Sequence, residues 1–191
     1  MYPNNSTVVI HEEIFMKRIM LIGSGGSGKS TLARQLGDIL NIQVYHLDAI
    51  FWKPNWEGVS KEEQISIQTD LVKKEEWLID GNYGGTLDIR LNAADTIIFL
   101  DINRTICTYR ALKRMMKYRN KTRPDMGEGC EEKFDFDFLR WIWNYPKMKR
   151  PDILRKLNGL PENKQIIILK SSKEVQTFLG HLKTKSAERI I

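Results

Sequence analysis

Gly23, Ser24, Gly25, Gly26, Ser27, Gly28, Lys29, Ser30 and Thr31 form one unbroken run. Glycines at this density let main-chain N–H groups turn inward around an anion, because no Cβ blocks the backbone. The spacing Gly23-x-x-x-x-Gly28-Lys29-Ser30 is that of a phosphate-binding loop, which requires a strand before it and a helix after it. That helix would add its unpaired first-turn donors and the positive end of its dipole. Lys29 is expected to reach the outer phosphates of a nucleoside triphosphate, and Ser30 to ligate magnesium.

Three aspartates could work beside such a loop. Asp80 closes the apolar run "WLID" and Asp101 closes "TIIFLD". Either could hold the metal directly or through water, and Asp80 is the assigned metal residue. Asp48 stands in "HLDAIFWKPNW". There a carboxylate can take a proton from an attacking hydroxyl. Phe51, Trp52 and Trp56 are candidate walls for an acceptor, or core packing. His46 is assigned a structural role.

Charge supplies a third group. From Arg104 to Arg123 there are eight Lys/Arg and no Asp/Glu. Arg110 and Arg114, spaced i, i+4, share one helix face. They are assigned to stabilise charge on a transferred group. Arg119 and Arg123 extend the set as further phosphate contacts. Ile106, Tyr109, Leu112 and Met116 are expected to form the stripe that buries this helix.

The elements that must position these groups alternate along the chain. "RIMLI" is a short apolar run ending at the glycine loop, and "KSTLARQLGDIL" has apolar residues at helical spacing. "IQVYHLD", "WLID", "TIIFLD" and "QIIILK" read as four further strands. Ser60 with Glu63 starts a helix expected to reach Lys74, and Ser171 with Glu174 starts one over 172–182. Buried strands alternating with helices imply a parallel sheet covered on both faces, an α/β fold of three layers. Right-handed crossovers then gather the loops after the strands along one edge. A helix is expected from near Asp137, with Pro146 and Pro151 as breaks.

Residues 1–15 read as an N-terminal extension, 16–183 as one domain, and 184–191 as a tail. Within the domain, 121–133 is polar, with Pro124, Gly127 and Gly129, and reads as a mobile lid loop. The chain has 191 residues, a net charge of +6 and two cysteines, too few for a disulfide framework. No apolar run approaches membrane-spanning length, and no signal-peptide pattern opens the chain. The expected setting is therefore the reducing cytoplasm, with no membrane partner.

"GSGGSGKST", "WLIDGNY", "FLD" and "YRALKR", in this order, resemble the adenylate-kinase-like family of small P-loop kinases. "HLDAIFWKPNW", "IDGNYGGTLDIRL" and "TRPDMGEGC" resemble, more closely, the bacterial DNA topology modulation (FlaR-like) proteins. The resemblance covers residues 16–180. It implies a P-loop NTPase fold whose five parallel strands run 2-3-1-4-5, ATP with Mg2+, and a closing lid. Asp80-Gly81 stands where the kinases carry aspartate-glycine, and Arg110 and Arg114 stand at their paired arginines. The kinases then carry phenylalanine-proline-arginine, whose arginine holds the acceptor's phosphate. Here Asn82, Tyr83 and Gly84 follow instead, and Arg90 is the candidate substitute.

Two functions compete on this basis. One is a kinase that moves the γ-phosphoryl of ATP to a small acceptor lying between Asp48, Asn82, Tyr83 and Arg90. The other is a nucleic-acid-binding regulator whose ATP site is a switch and whose basic stripe meets DNA phosphates. No recognition module for nucleic acid is evident, which favours the kinase. A GTPase is disfavoured, since no Asn-Lys-x-Asp guanine signature is present.

Overall fold

The structure, a computed structural model, describes residues 16–188. The expected 1–15 extension and the last three residues of the expected tail lie outside them.

Strand β1 (Arg18–Gly23) runs into the glycine loop, and helix α1 (Lys29–Leu40) leaves it. Strand β2 (Val44–His46) passes at once into a short helix, α2 (Leu47–Phe51). Asp48 therefore lies in the first turn of α2, not in a loop after the strand. A small antiparallel ribbon follows, β3 (Trp52–Lys53) with β4 (Glu57–Gly58). Helix α3 (Lys61–Leu71) is capped by Ser60, whose hydroxyl accepts from the Glu63 amide at 3.1 Å, and it ends three residues before the expected Lys74. Strand β5 (Trp77–Asp80), helix α4 (Leu87–Ala93) and strand β6 (Thr96–Leu100) complete the first half. Then come α5 (Arg104–Lys117), α6 (Phe136–Met148), α7 (Arg150–Asn158), β7 (Gln165–Leu169) and α8 (Ser172–Glu188).

The main sheet is parallel throughout, in the order β2-β5-β1-β6-β7. Numbering only these five strands along the chain, the order is 2-3-1-4-5. Successive side chains of β1 point to opposite faces and divide the core in two. Ile19 and Leu21 join the cluster under α1, α5, α6 and α8. Met20 and Ile22 join the cluster under α2, α4 and α7. Each fully buried aliphatic side chain of this kind contributes about 1.5–3 kcal/mol relative to exposure. The sheet is thus the platform of the fold, and the glycine loop after β1 and the turns after β2, β5 and β6 leave its carboxyl edge.

Several local expectations are corrected. Helix α5 buries Cys107, Ala111 and Met115, whereas Ile106, Tyr109 and Met116 are exposed. The reason is close approach: a Cβ built on Gly26 would lie 2.1 Å from the Cys107 carbonyl oxygen, so the docking face needs small residues. Pro146 sits inside α6 rather than ending it, and Pro151 falls in the first turn of α7, where its missing N–H costs nothing. Helix α6 starts at Phe136, capped by Asp135 accepting from the Phe138 amide at 2.9 Å. Helix α8 runs on through Glu188, so the start of the expected tail is helical.

The 121–133 segment is folded against the body. Two bridges, Arg119 with Glu132 and Thr122 with Glu131, close its base. Its tip docks on the ribbon: the Asn55 amide donates to the Gly129 carbonyl at 3.2 Å, and the Trp56 indole donates to the Glu131 carbonyl at 2.9 Å. Among the described residues, no helix is long and apolar enough to cross a membrane.

Candidate active site

The glycine loop lies between β1 and α1, as its chemistry requires. Gly28 caps α1 in the left-handed region, with φ +99°, and no side chain caps the first turn. Its amides are left for an anion, at the positive end of the helix dipole. Lys29 turns back over the loop, and its ammonium donates to the Ser24 carbonyl at 3.1 Å. The Ser24 and Ser27 hydroxyls are buried without a hydrogen-bond partner. A buried polar group in that state favours an incoming acceptor or donor.

Helices α5 and α6 wall the loop. Arg110 donates through Nη1 to the Ser27 carbonyl at 3.3 Å and through Nη2 to the Ser172 hydroxyl at 2.8 Å. Phe138 lies against Gly25, its Cζ 2.6 Å from where a Cβ would stand. Arg114 lies over the Phe138 ring at 5.5 Å.

The two strand-end aspartates have different fates. Asp80 is 4% exposed. Its Oδ2 is 3.0 Å from His46 Nδ1, while its Oδ1 is buried without a partner. That orphaned oxygen is an open acceptor of a kind that suits a cation. No cluster of three or more His, Cys, Asp or Glu capable of holding a metal occurs among the described residues. A cation here would take its other ligands from phosphate and water, as Mg2+ commonly does. Asp101 instead accepts a forked contact from Arg150, at 2.8, 3.0 and 2.9 Å, which ties the end of β6 to α7 and occupies both carboxylate oxygens. Its metal candidacy is withdrawn.

After β2 and β5, the Tyr83 hydroxyl donates to Asp48 Oδ1 at 2.8 Å, and the Phe51 ring meets Tyr83 edge-on at 4.7 Å. Burial and the Asp48 carboxylate push the Tyr83 phenol above its ordinary range, so it remains a donor. Arg90 does not serve as the substitute acceptor arginine. It is 0% exposed, and its guanidinium donates to the carbonyls of Gly81 at 2.6 Å and Asn82 at 3.0 Å. Burial lowers its pKa to about 10, against the pull of Asp80 and Tyr83. Asn82 is also occupied, bonded twice to Gly23. Trp52 and Trp56 form an edge-on pair at 5.8 Å in the ribbon. Neither is fully buried.

The basic stripe is split. Arg114 Nε donates to Glu132 Oε1 at 3.2 Å, and Arg123 lies between Asp125, at 3.1 Å, and Glu132, at 2.6 Å. Burial and the neighbouring Arg123 lower the Arg114 pKa, while Glu132 and Asp125 oppose them. Arg119 is exposed and lines an outer groove with Met115, Met116, Asn120, Lys133 and Phe134. No phosphate-loop residue lines that groove. The acid-free run ends at Arg123, but acids begin two residues later, and folding returns them onto the arginines. Burial would raise the Asp125 pKa, yet Arg123 and the Ser30 hydroxyl outweigh it and hold it below the ordinary carboxylate value. His46, Asp125, Glu132 and Phe138 all belong to the neighbourhood, although nothing in the sequence reading placed them there. Only the acids in "DMGEGCEE" gave a signal, by directly following the basic run.

A glycine loop on this sheet order, with helices on both faces, defines a three-layer P-loop fold. Among solved structures, a shikimate kinase from Bacteroides thetaiotaomicron matches over 89% of this chain and 98% of its own, with a TM-score of 0.54 and 17% identity. A deoxyadenosine kinase from M. mycoides matches over 89% and 98%, with a TM-score of 0.49 and 13% identity. A shikimate kinase from Aquifex aeolicus, at 20% identity, covers 89% and 98% with a TM-score of 0.46. At 17% identity, the likeness to the Bacteroides protein is one of fold. No family model matches the chain, and no curated protein matches it.

Proposed function

We propose that the protein is an ATP-dependent phosphotransferase acting on a small acceptor with a free hydroxyl. One observation carries the reading. An uncapped helix start with Lys29 and Arg110 beside it stands at the same sheet edge as a half-buried carboxylate, Asp48, held by Tyr83.

In this reading the loop amides and Lys29 hold the triphosphate, and Ser30 and Asp80 hold magnesium, which would neutralise charge between the outer phosphates. Asp48 Oδ2 takes the proton from the acceptor hydroxyl. The acceptor oxygen bonds to the γ-phosphorus as the bond to the β-bridging oxygen breaks, and ADP leaves. Arg110 and Arg114 stabilise charge on the phosphoryl oxygens as it passes. Asn82, Arg90 and Tyr83 shape the acceptor side without contributing a free cation. That supports an acceptor other than a nucleoside monophosphate. The packed 121–133 segment would exclude water, suppressing hydrolysis. Cys107 and Cys130, both buried free thiols, suit a reducing cytoplasm.

The test is ADP release over a panel of nucleosides, nucleotides and sugars, with an acceptor-free control. Release that depends on one acceptor class supports the kinase. Release at the control rate with every acceptor sinks it.

A second reading, nucleic-acid binding as in the topology modulation proteins, draws on exposed Lys113, Lys117, Arg119 and Lys121 beside Tyr109, which is 65% exposed. Cations beside an aromatic suit a phosphate backbone with stacked bases. DNA affinity at physiological salt, with and without ATP, separates the two.

A further inference from the structure

Glu132 is a carboxylate with 4% exposure, and it faces two guanidinium groups from different parts of the chain. Arg114 comes from α5. Arg123 comes from the segment that folds over it. Both contacts are made at Nε: Arg114 at 3.2 Å and Arg123 at 2.6 Å. The Arg114 contact is an aligned hydrogen bond. The Arg123 contact has ion-pair separation, but the N–H is not aimed at the oxygen, so it is a charge contact.

Two cations sharing a half-dry pocket repel, and burial removes the water that would screen them. A carboxylate between them removes the repulsion and fixes both side chains. The aligned Nε bond of Arg114 also sets the plane of its guanidinium while leaving its terminal amino groups free. Among the described residues, no hydrogen bond is made by the terminal amino groups of Arg114. Those of Arg123 keep one nitrogen free, since Nη1 donates to Asp125 Oδ2 at 3.1 Å.

Both ends of this bridge stand at the phosphate loop. Arg114 lies over Phe138, which packs on Gly25. Arg123 pairs with Asp125, whose carboxyl is held below its ordinary range by Arg123 and by the nearby Ser30 hydroxyl. A chain of contacts therefore runs from Asp125 through Arg123, Glu132, Arg114 and Phe138 to Gly25.

We infer that Glu132 is a positioning residue: it holds Arg114 and Arg123 together over the phosphate loop, with their terminal amino groups available to the outer phosphates of the nucleotide. The inference rests on the proposed binding of ATP at this loop. A purely structural carboxylate would tie the segment down and leave the ranking of nucleotides untouched. A carboxylate that competes with phosphate would weaken ATP binding, and removing its charge would tighten it.

The experiment compares Glu132→Gln and Glu132→Asp with wild type, using magnesium-ATP, ADP and AMP as probes in calorimetric titrations, with thermal unfolding measured on each protein. Gln keeps the shape and removes the charge, and Asp keeps the charge and retracts it. The expected result is a loss of ATP affinity of about tenfold or more in Glu132→Gln, a smaller loss in Glu132→Asp, and AMP affinity within about twofold of wild type. Equal losses for all three nucleotides, unchanged ATP affinity, or tighter ATP binding would each overturn the inference. So would failure of both variants to fold, which would make Glu132 a folding residue. Wild type that binds no ATP would instead sink the proposed function, a result separate from these.

Discussion

Asn82 and Gly23 hold each other through two hydrogen bonds: the Asn82 side-chain carbonyl accepts from the Gly23 N–H at 3.1 Å, and its amide donates to the Gly23 carbonyl at 2.7 Å. A side chain thus extends the sheet pairing two residues beyond the Leu21–Asp80 pair and fixes the entry of the glycine loop. Arg90 fixes the same turn from beneath, through the Gly81 and Asn82 carbonyls. The glycine loop and the turn after β5 are joined at this point.

Asn82→Ala leaves two main-chain groups of Gly23 without partners. About 1–3 kcal/mol of stability is expected to be lost, with a several-fold weaker hold on ATP. Thermal unfolding and an ATP titration on the same preparation check both effects. Unchanged ATP affinity would show that the loop keeps its shape without the clamp.

Lys29→Ala is expected to abolish tight magnesium-ATP binding and leave the fold intact, because Lys29 makes one part-buried hydrogen bond, to Ser24. Circular dichroism with calorimetry is the measurement. Near-normal affinity in a folded variant would remove Lys29 from the site.

Asp48→Asn is expected to spare ATP binding and lower transfer to the true acceptor by about 10²–10⁴-fold, the usual range for a lost general base. Tyr83→Phe deletes the hydrogen bond to Asp48 and is expected to lower transfer less. Full transfer by Asp48→Asn in steady-state kinetics would end its candidacy.

Arg110→Ala and Arg114→Ala are expected to lower turnover more than ATP affinity, since charge on the phosphoryl oxygens is held best in the transition state. Unchanged turnover in both would return these arginines to a structural role.

Acid should release the docked segment in a defined window. The folded-state pKa of Asp125 is lowered from 3.8, so its contribution is present above that value and is lost as pH falls through the lower folded value. Fluorescence of Trp56, which is bonded to the segment at Glu131, reports the change. The signal is expected to be flat above about pH 4 and to move below it, and Asp125→Asn should abolish this step. A transition centred at pH 6 in wild type would assign it to another group.

The five strands, the glycine loop and its helix were legible because each rests on local chemistry: apolar runs of strand length, a fixed glycine spacing and serine caps. The buried face of α5 was misread because hydrophobicity was taken to mark the buried side. A helix pressed backbone-to-backbone on Gly26 buries Cys107 and Ala111 instead and exposes Met116 at 75%. Asp80 and Asp101 look alike in sequence, each ending an apolar strand. Only the approach of Arg150 to one and of His46 to the other separates them. Arg90 looked available because nothing local marks an arginine that will bond to three residues' worth of folded turn.

The sequence alone determined the layers, the sheet's composition and the place of the phosphate loop, since those follow from period, spacing and glycine's freedom near an anion. Tertiary structure decided which charges are free. Glu132 reaches Arg114, Asn82 reaches Gly23, and Tyr83 reaches Asp48 only after distant segments meet at one sheet edge. Ion pairs and hydrogen bonds act over a few ångströms, and the order of residues along a chain does not encode those distances.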